Sequence, residues 1–476
     1  MNIKLVLGLC LFYLLGCKSE SRDQQFFKYI KTDELTSYPK TQFPSYNTYF
    51  QPDVDQPFSL SQNYPRIYEA ESYPWQNVDF KESPHEYMSS VLNYCFEGNI
   101  EVDFRGQENK IRKWYHAPWL HDDGKYFDNE YFGNGREFIH GLTRELPTPK
   151  FKIHDKQDVK LENWAVGMYN APGGYTIEKV WKSSPNGPDA TKCNFPEGTV
   201  SCKLLFTDAT VDKVPFLEGS LEWQANIYPV DPKSGKPEDR IRQTRTVRLL
   251  QVDIAVKDRR AKDTGWVFGT FVYDASMVGK SVWQKLKVVG LSWGDDTNVV
   301  SDLNRDGAFI NKNLSQSYID KNLIFDKNRA YTNEAYLKYH GLGGRLNGPV
   351  DNPVSSCISC HGQAAFLPNG TPMPMGDFGS NVNRQNYSLE SFSKYFTNVR
   401  PGNFLREFDG QMYISCDYSL QISTGIVNYY KSRHMSNAVA NRAKQKDQFP
   451  QALSNEDLVE ITSYITDLPA STRGGN

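Results

Sequence analysis

Beyond residue 16 the chain has no apolar run approaching the ~18 residues that a membrane-crossing helix needs, so nothing downstream of that point reads as a span. Charge of one sign is lacking too: 54 Lys and Arg face 56 Asp and Glu, a net charge of −2. That balance argues against nucleic acid or a broadly anionic surface as partner, because both select an excess of basic residues. No complete phosphate-binding loop is present either. What remains is ordinary folded material. With 476 residues, 39% hydrophobic and 13% aromatic, the chain can build two or three cores.

Cysteines are few, eight in all, and two of them fall in an informative pattern. Cys357, Ile358, Ser359, Cys360 and His361 read C-x-x-C-H. Two thiols at that spacing can form thioethers to both vinyl groups of one haem, and the adjacent His then ligates the iron. The pattern predicts one covalent haem c, anchored by Cys357 and Cys360 with His361 on the metal. A zinc half-site is the competing reading. Zinc needs a second Cys or Cys/His pair at ligand spacing, and none follows.

The N-terminus agrees with haem attachment outside the cytoplasm. Lys4 precedes an apolar run from Leu5 to Leu15, too short to span a bilayer and shaped like a signal-peptide core. It ends in Leu14-Leu15-Gly16-Cys17, which resembles the bacterial lipobox. The expectation is export, loss of residues 1–16, and lipidation at Cys17. The protein would then be tethered to a bacterial membrane on its periplasmic side or at the cell surface. An ordinary secretory signal with a spare Cys is the alternative. Cys95, Cys193, Cys202 and Cys416 are left over. In an oxidising compartment the nearest two, Cys193 and Cys202, are candidates for a small disulfide loop, with connectivity left open by sequence.

Texture divides the rest into residues 17–107, a spacer and loop-rich region; 108–300, β-rich; and 301–476, the haem region. A short helical signal runs from Glu86 to Phe96. Six β-type runs follow: Trp164–Tyr169, Tyr175–Trp181, Thr199–Phe206, Thr246–Val256, Trp266–Tyr273 and Val288–Trp293. Turn residues such as Pro172-Gly173-Gly174 separate them, which suggests an antiparallel sandwich or barrel-like sheet. Ser388–Phe396 and Ser419–Lys431 are helix candidates. A capped amphipathic helix is expected from Ser454 to Leu468, stopped by Pro469. The fold class expected is α+β, a central β-rich domain with a helical, haem-bearing C-terminal region that resembles a mono-haem cytochrome c domain.

A second resemblance lies upstream. Phe195-Pro196-Glu197-Gly198-Thr199-Val200-Ser201-Cys202-Lys203, then Asp253-Ile254-Ala255-Val256-Lys257-Asp258 with Arg260-Ala261, then Gly265-Trp266-Val267-Phe268, precede the C-x-x-C-H motif in that order. This succession is similar to the β-sheet haem proteins of the cytochrome P-460 type. The resemblance implies a mostly β fold, His361 as the proximal ligand, and an iron left open for small nitrogen species. In hydroxylamine-oxidising members a Lys is crosslinked to the macrocycle, and its counterpart by motif is Lys203. A solvated Lys on the outward face of a strand is the other reading of that residue. The chain departs from the family in the 80-odd residues between Ala275 and Ser356. The blocks Lys113–Glu145 and Gly343–Pro353 resemble parts of larger bacterial cytochrome-like lipoproteins.

An electron carrier fills the sixth position with Met or His, and Met373, Met375, Met412 and Met435 are the candidates. Met373 and Met375 are Pro-flanked, as in the ligand loops of carriers. Gap-filling core is the competing role for any one of them. Arg345 and Asn347 are candidate partners for haem propionates, or members of a Gly-Pro turn. His116, His121 and His140 share an aromatic-rich stretch and are weak candidates for a metal site. Asp302 to Gly307 begins like a calcium loop but has Asn313 in place of the bidentate Glu, so a polar turn fits better. The leading expectation is an anchored electron-transfer haem protein with a redox partner protein. The alternative is a haem oxidoreductase or sensor for hydroxylamine or nitric oxide at an open iron.

Overall fold

Runs of β-branched and aromatic residues in the middle of the chain build one antiparallel sheet of eight strands. The computed structural model describes residues 58, 60–61, 63–67, 72–118, 120, 137, 139–182, 188–230, 243–299, 311–320, 339–352, 355–368, 371–373, 393–408 and 410–430. The strands are β1 (Thr143–Arg144), β2 (Asn163–Tyr169), β3 (Val200–Thr207), β4 (Glu222–Ile227), β5 (Gln243–Lys257), β6 (Trp266–Tyr273), β7 (Leu286–Ser292) and β8 (Ser317–Ile319). Their order is β1-β2-β3-β5-β6-β7-β8, with β4 also paired to the long β5.

Five of the six expected β runs are strands. The sixth is not: Tyr175–Trp181 lies inside a helix, α2, spanning Ala171–Lys182. Its Tyr, Thr, Ile, Val and Trp are β-type residues, but Ile177, Val180 and Trp181 recur at helical spacing and are all buried. The Asn170 side chain accepts from the Gly173 backbone at 3.4 Å and starts the helix.

The sheet has a back and a front. On the back, Met168, Cys202, Ile254 and Gly269 align across four strands. Helix α1 (Pro84–Phe96) packs there. The methyl of Met88 occupies the space a side chain on Gly269 would need, 2.8 Å from its Cβ position. Trp75, Phe80, Tyr87, Val91, Val252 and Val289 complete this apolar core. Burial of such side chains stabilises each by roughly 1.5–3 kcal/mol relative to exposure.

The front is covered by the C-terminal third. That segment is mixed: helix α3 (Cys357–Gly362), a small sheet of β9 (Ala365–Phe366), β10 (Leu405–Phe408) and β11 (Gln411–Ser415), and helix α4 over 420–430. Of the expected helices, Ser419–Lys431 corresponds to α4. Ser388–Phe396 is described only from residue 393, where a short helical turn is present. The Ser454–Leu468 helix lies outside the described residues. Ile358, Ala364, Phe366, Ile422 and Ile426 share a second core with Tyr169, Trp181, Phe195, Trp266 and Phe268. The C-x-x-C-H segment is therefore packed against the sheet rather than set apart as a helical unit. Among the described residues no helix is long and apolar enough to cross a membrane.

Candidate cofactor site

Register alone puts an unusual row on the front of the sheet. Gly167 of β2 pairs with Lys203 of β3, Lys203 with Asp253 of β5, and Asp253 with Thr270 of β6. One step along, Tyr169, Ser201, Ala255 and Phe268 form a second row. Both rows line a cavity whose opposite wall includes Asn347, Asp351, Cys357, Cys360 and His361. A register break between Thr270 and Phe271 bends β6 beside it.

Helix α3 is set by local chemistry. Ser356 caps it, its hydroxyl accepting from the Ser359 backbone at 3.0 Å while Ser359 Oγ accepts from the Ser356 backbone at 3.0 Å. Ser356 Oγ also donates to Asp295 Oδ1 at 2.5 Å. The result puts Cys357, Cys360 and His361 on one wall. His361 Nδ1 lies 3.0 Å from the Tyr418 carbonyl and the ring sits 4.8 Å from that of Phe268. Donation from Nδ1 to the carbonyl leaves Nε2 as the lone-pair nitrogen. Burial pushes the His361 pKa down to about 4, so the imidazole is neutral, the form that ligates metal.

Tyr418 is held in turn by its neighbour. Asp417 accepts from Lys257 Nζ at 2.7 Å on each oxygen, from Trp266 Nε1 at 3.0 Å and from the Phe195 backbone at 2.9 Å. Both Asp417 (φ 47°) and Tyr418 (φ 66°) are left-handed. Such a pair of non-glycine residues is strained by roughly 1–2 kcal/mol each, and the Asp417 network holds it. Tyr418 OH accepts from the Val399 backbone at 2.7 Å. Sequence reasoning missed Asp417. The Lys257 and Trp266 it binds are motif residues of the resemblance, and that was the available signal.

Lys203 lies in the cavity, 3.5 Å from Glu145 Oε1, with its side chain 23% exposed. It is not a freely solvated outward residue. Asp253 accepts from Gln251 Nε2 at 2.8 Å and from Thr270 Oγ1 at 3.0 Å. Asp351 accepts from Gln251 Nε2 at 3.2 Å and from the Gly348 backbone at 2.9 Å. Burial opposes charge on Lys203, but Glu145, Asp253 and Asp351 outweigh it and hold the ammonium above its usual range. Burial pushes Glu145 up to about 7, against the pull of Lys203. Burial and then Asp351 push Asp253 to about 7 as well. The cavity thus holds two carboxyls able to exchange a proton near neutrality.

The remaining candidates separate. Met373 is buried with Ala365, Phe408 and Tyr413 in a small cluster of its own, and Met412 is 48% exposed on β11. Neither lines the cavity. Met375 and Met435 lie outside the described residues, as do Cys17, His121 and the stretch from Asp302 to residue 310. Arg345 turns away from any propionate role: buried, it donates to the carbonyls of Asp295 at 2.9 Å, Leu342 at 3.1 Å and Val299 at 3.0 Å. Asn347 does line the cavity, with its amide donating to Asn352 O at 2.6 Å. His140 stacks on Trp223 at 4.3 Å and His116 packs edge-on to Phe58 at 5.9 Å. Among the described residues no group of three potential ligands could hold a metal ion. Gly290-Leu291-Ser292-Trp293-Gly294 matches a nucleophile-elbow string, but Ser292 is buried within strand β7, not on a strand-to-helix turn.

No family profile, no curated protein and no solved structure matches the chain.

Proposed function

We propose that this chain is an exported haem c protein that binds a small nitrogen ligand, of the size of hydroxylamine or nitric oxide, in the cavity on the front of the sheet. The residues fit the cofactor. Cys357 and Cys360 face the same space, His361 has one nitrogen tied to Tyr418 and the other left for iron, and Phe268, Ala255 and Gly167 offer a flat, mostly apolar wall. Bound there, the haem supplies a redox-active iron with a coordination position beyond the proximal ligand. The carrying observation is the wall itself: among its described residues the sole Met or His is His361, and the row of Lys203, Asp253 and Thr270 shares the lining with it. Lys203, paired with Glu145, orients an anionic or dipolar ligand. Glu145 and Asp253 hold protons for it to gain or lose. A carrier with a Met-filled sixth site needs Met375 or Met435, since Met373 is packed elsewhere and Met412 is exposed on β11.

Carbon monoxide added to the ferrous protein is expected to bind at once and move the Soret band. A low-spin spectrum indifferent to carbon monoxide returns the protein to simple electron transfer. Lys203 bears on the same spectrum. An ammonium flanked by carboxylates is no nucleophile, so an ordinary c-type Soret position is expected; a band shifted far to the red signals a crosslink through Lys203.

The anchor belongs to the same reading. Cys17→Ser is expected to move the protein from the membrane pellet to the soluble fraction, since no described helix spans a bilayer. Retention in the pellet after a high-salt wash rules out lipid at Cys17 as the tether.

A further inference from the structure

Six cysteines fall among the described residues, all of them free thiols in this structure, and four of them stand in two buried pairs outside the cavity lining that holds Cys357 and Cys360. Cys95 lies in the last turn of α1, beside Cys202 on the back of β3, whose pKa the neighbouring Cys95 thiol and burial push well up. Both belong to the core behind the sheet. Cys193, on the loop after α2, and Cys416, just past β11, are neighbours within the front core, where burial and the Cys416 thiol push the Cys193 pKa well up. All four are at most 2% exposed. Beside the second pair, the Phe195 backbone donates to Asp417 at 2.9 Å, so the two chain segments are joined at adjacent positions.

We infer that both pairs are oxidised in the exported protein, to disulfides Cys95–Cys202 and Cys193–Cys416. The inference rests on export from the proposed function, since thiol oxidation persists outside the reducing cytoplasm. It replaces the sequence expectation of a Cys193–Cys202 loop: Cys202 points into the back core and Cys193 lies in the front core, with the sheet between them. In each case two S–H bonds are lost and one S–S bond forms. The two electrons and two protons pass to the disulfide of a protein dithiol oxidant, which leaves as its dithiol. Attack needs a thiolate reaching that oxidant, and burial denies the folded thiols both access and charge. The bonds therefore form while the chain is folding.

The two bonds do different work. Cys95–Cys202 pins α1 to the sheet. Cys193–Cys416 makes the segment before Asp417 covalently continuous with the loop at Phe195, and so fixes the turn whose Tyr418 carbonyl orients His361. Closing loops of about one hundred and two hundred residues restricts the unfolded chain strongly. Cys357 and Cys360, facing the cavity, stay out of both pairs and are left for thioethers.

The full chain, purified after export, is denatured in N-ethylmaleimide without reductant and mapped by peptide mass. No alkylation at these four positions is expected, with Cys95 linked to Cys202 and Cys193 to Cys416, each link disappearing on reduction. Alkylation at all four, or a Cys193–Cys202 peptide, overturns the inference. Refolding the reduced chain with glutathione disulfide is expected to give the same two links; other links, or none, overturn it whatever the compartment. A haem stain on the same sample keeps the readings apart. Haem without disulfides refutes the pairing alone, and disulfides without haem refute the cofactor alone.

Discussion

A chain carrying both Cys357→Ala and Cys360→Ala is expected to lose all covalently held haem, down to the background of a peroxidase-stained denaturing gel. The two thioethers have no other source: the remaining described cysteines are buried in the two pairs behind and beside the sheet, none lining the cavity. Helix α3 is capped by Ser356 and Ser359, so the fold does not depend on the two thiols. Either single substitution leaves one thioether, and the stain is expected to weaken without vanishing. Full staining of the denatured double variant refutes covalent attachment at this motif.

Asp417→Ala is expected to destabilise the fold by about 3–5 kcal/mol, because it strands the buried Lys257 ammonium and leaves its charge uncompensated. The cost is not confined to that pair. Trp266 Nε1 and the Phe195 backbone lose their acceptor at the same stroke, and the left-handed turn at 417 and 418 loses what holds it. Asp417→Asn keeps an acceptor for some of these donors but not the ion pair, and an intermediate loss is expected. Urea unfolding followed by tryptophan fluorescence reads both. A loss for Asp417→Ala below about 1 kcal/mol, the range of exposed ion pairs, means that the network does not hold this region.

The strands were legible because β-branched and aromatic residues concentrate in short runs bounded by turn residues. Tyr175–Trp181 misled because residue type and spacing disagree there, and spacing prevailed once Asn170 supplied a cap. The charged row was not legible. Lys203 and Asp253 occupy the alternate strand positions that, in a one-faced sheet, point to water. Nothing local in β3 or β5 announces that residues 345–361 and 416–421 return to cover that face. The C-x-x-C-H thiols and His361 were plain in sequence, whereas the Tyr418 carbonyl that fixes the imidazole is a backbone atom and carries no residue signature. The cysteine neighbours were hidden for a related reason. Nearness along the chain made Cys193 and Cys202 candidates for a loop, and they lie in cores on opposite faces of the sheet.

The shared front core also has a consequence for the order in which the molecule is made. Strands β1 to β8 are complete before residue 320 emerges, but the wall facing them is not closed until α4, at residues 420–430, has docked. During synthesis from the N-terminal end, Cys357 and Cys360 pass through an interval in which the sheet is formed and the thiols are still uncovered. Arrival of Asp417 and Tyr418 ends that interval by seizing His361 from the far side. A chain stopped short of residue 416 is a sheet with an open front, its cysteines permanently presented and its histidine never aimed.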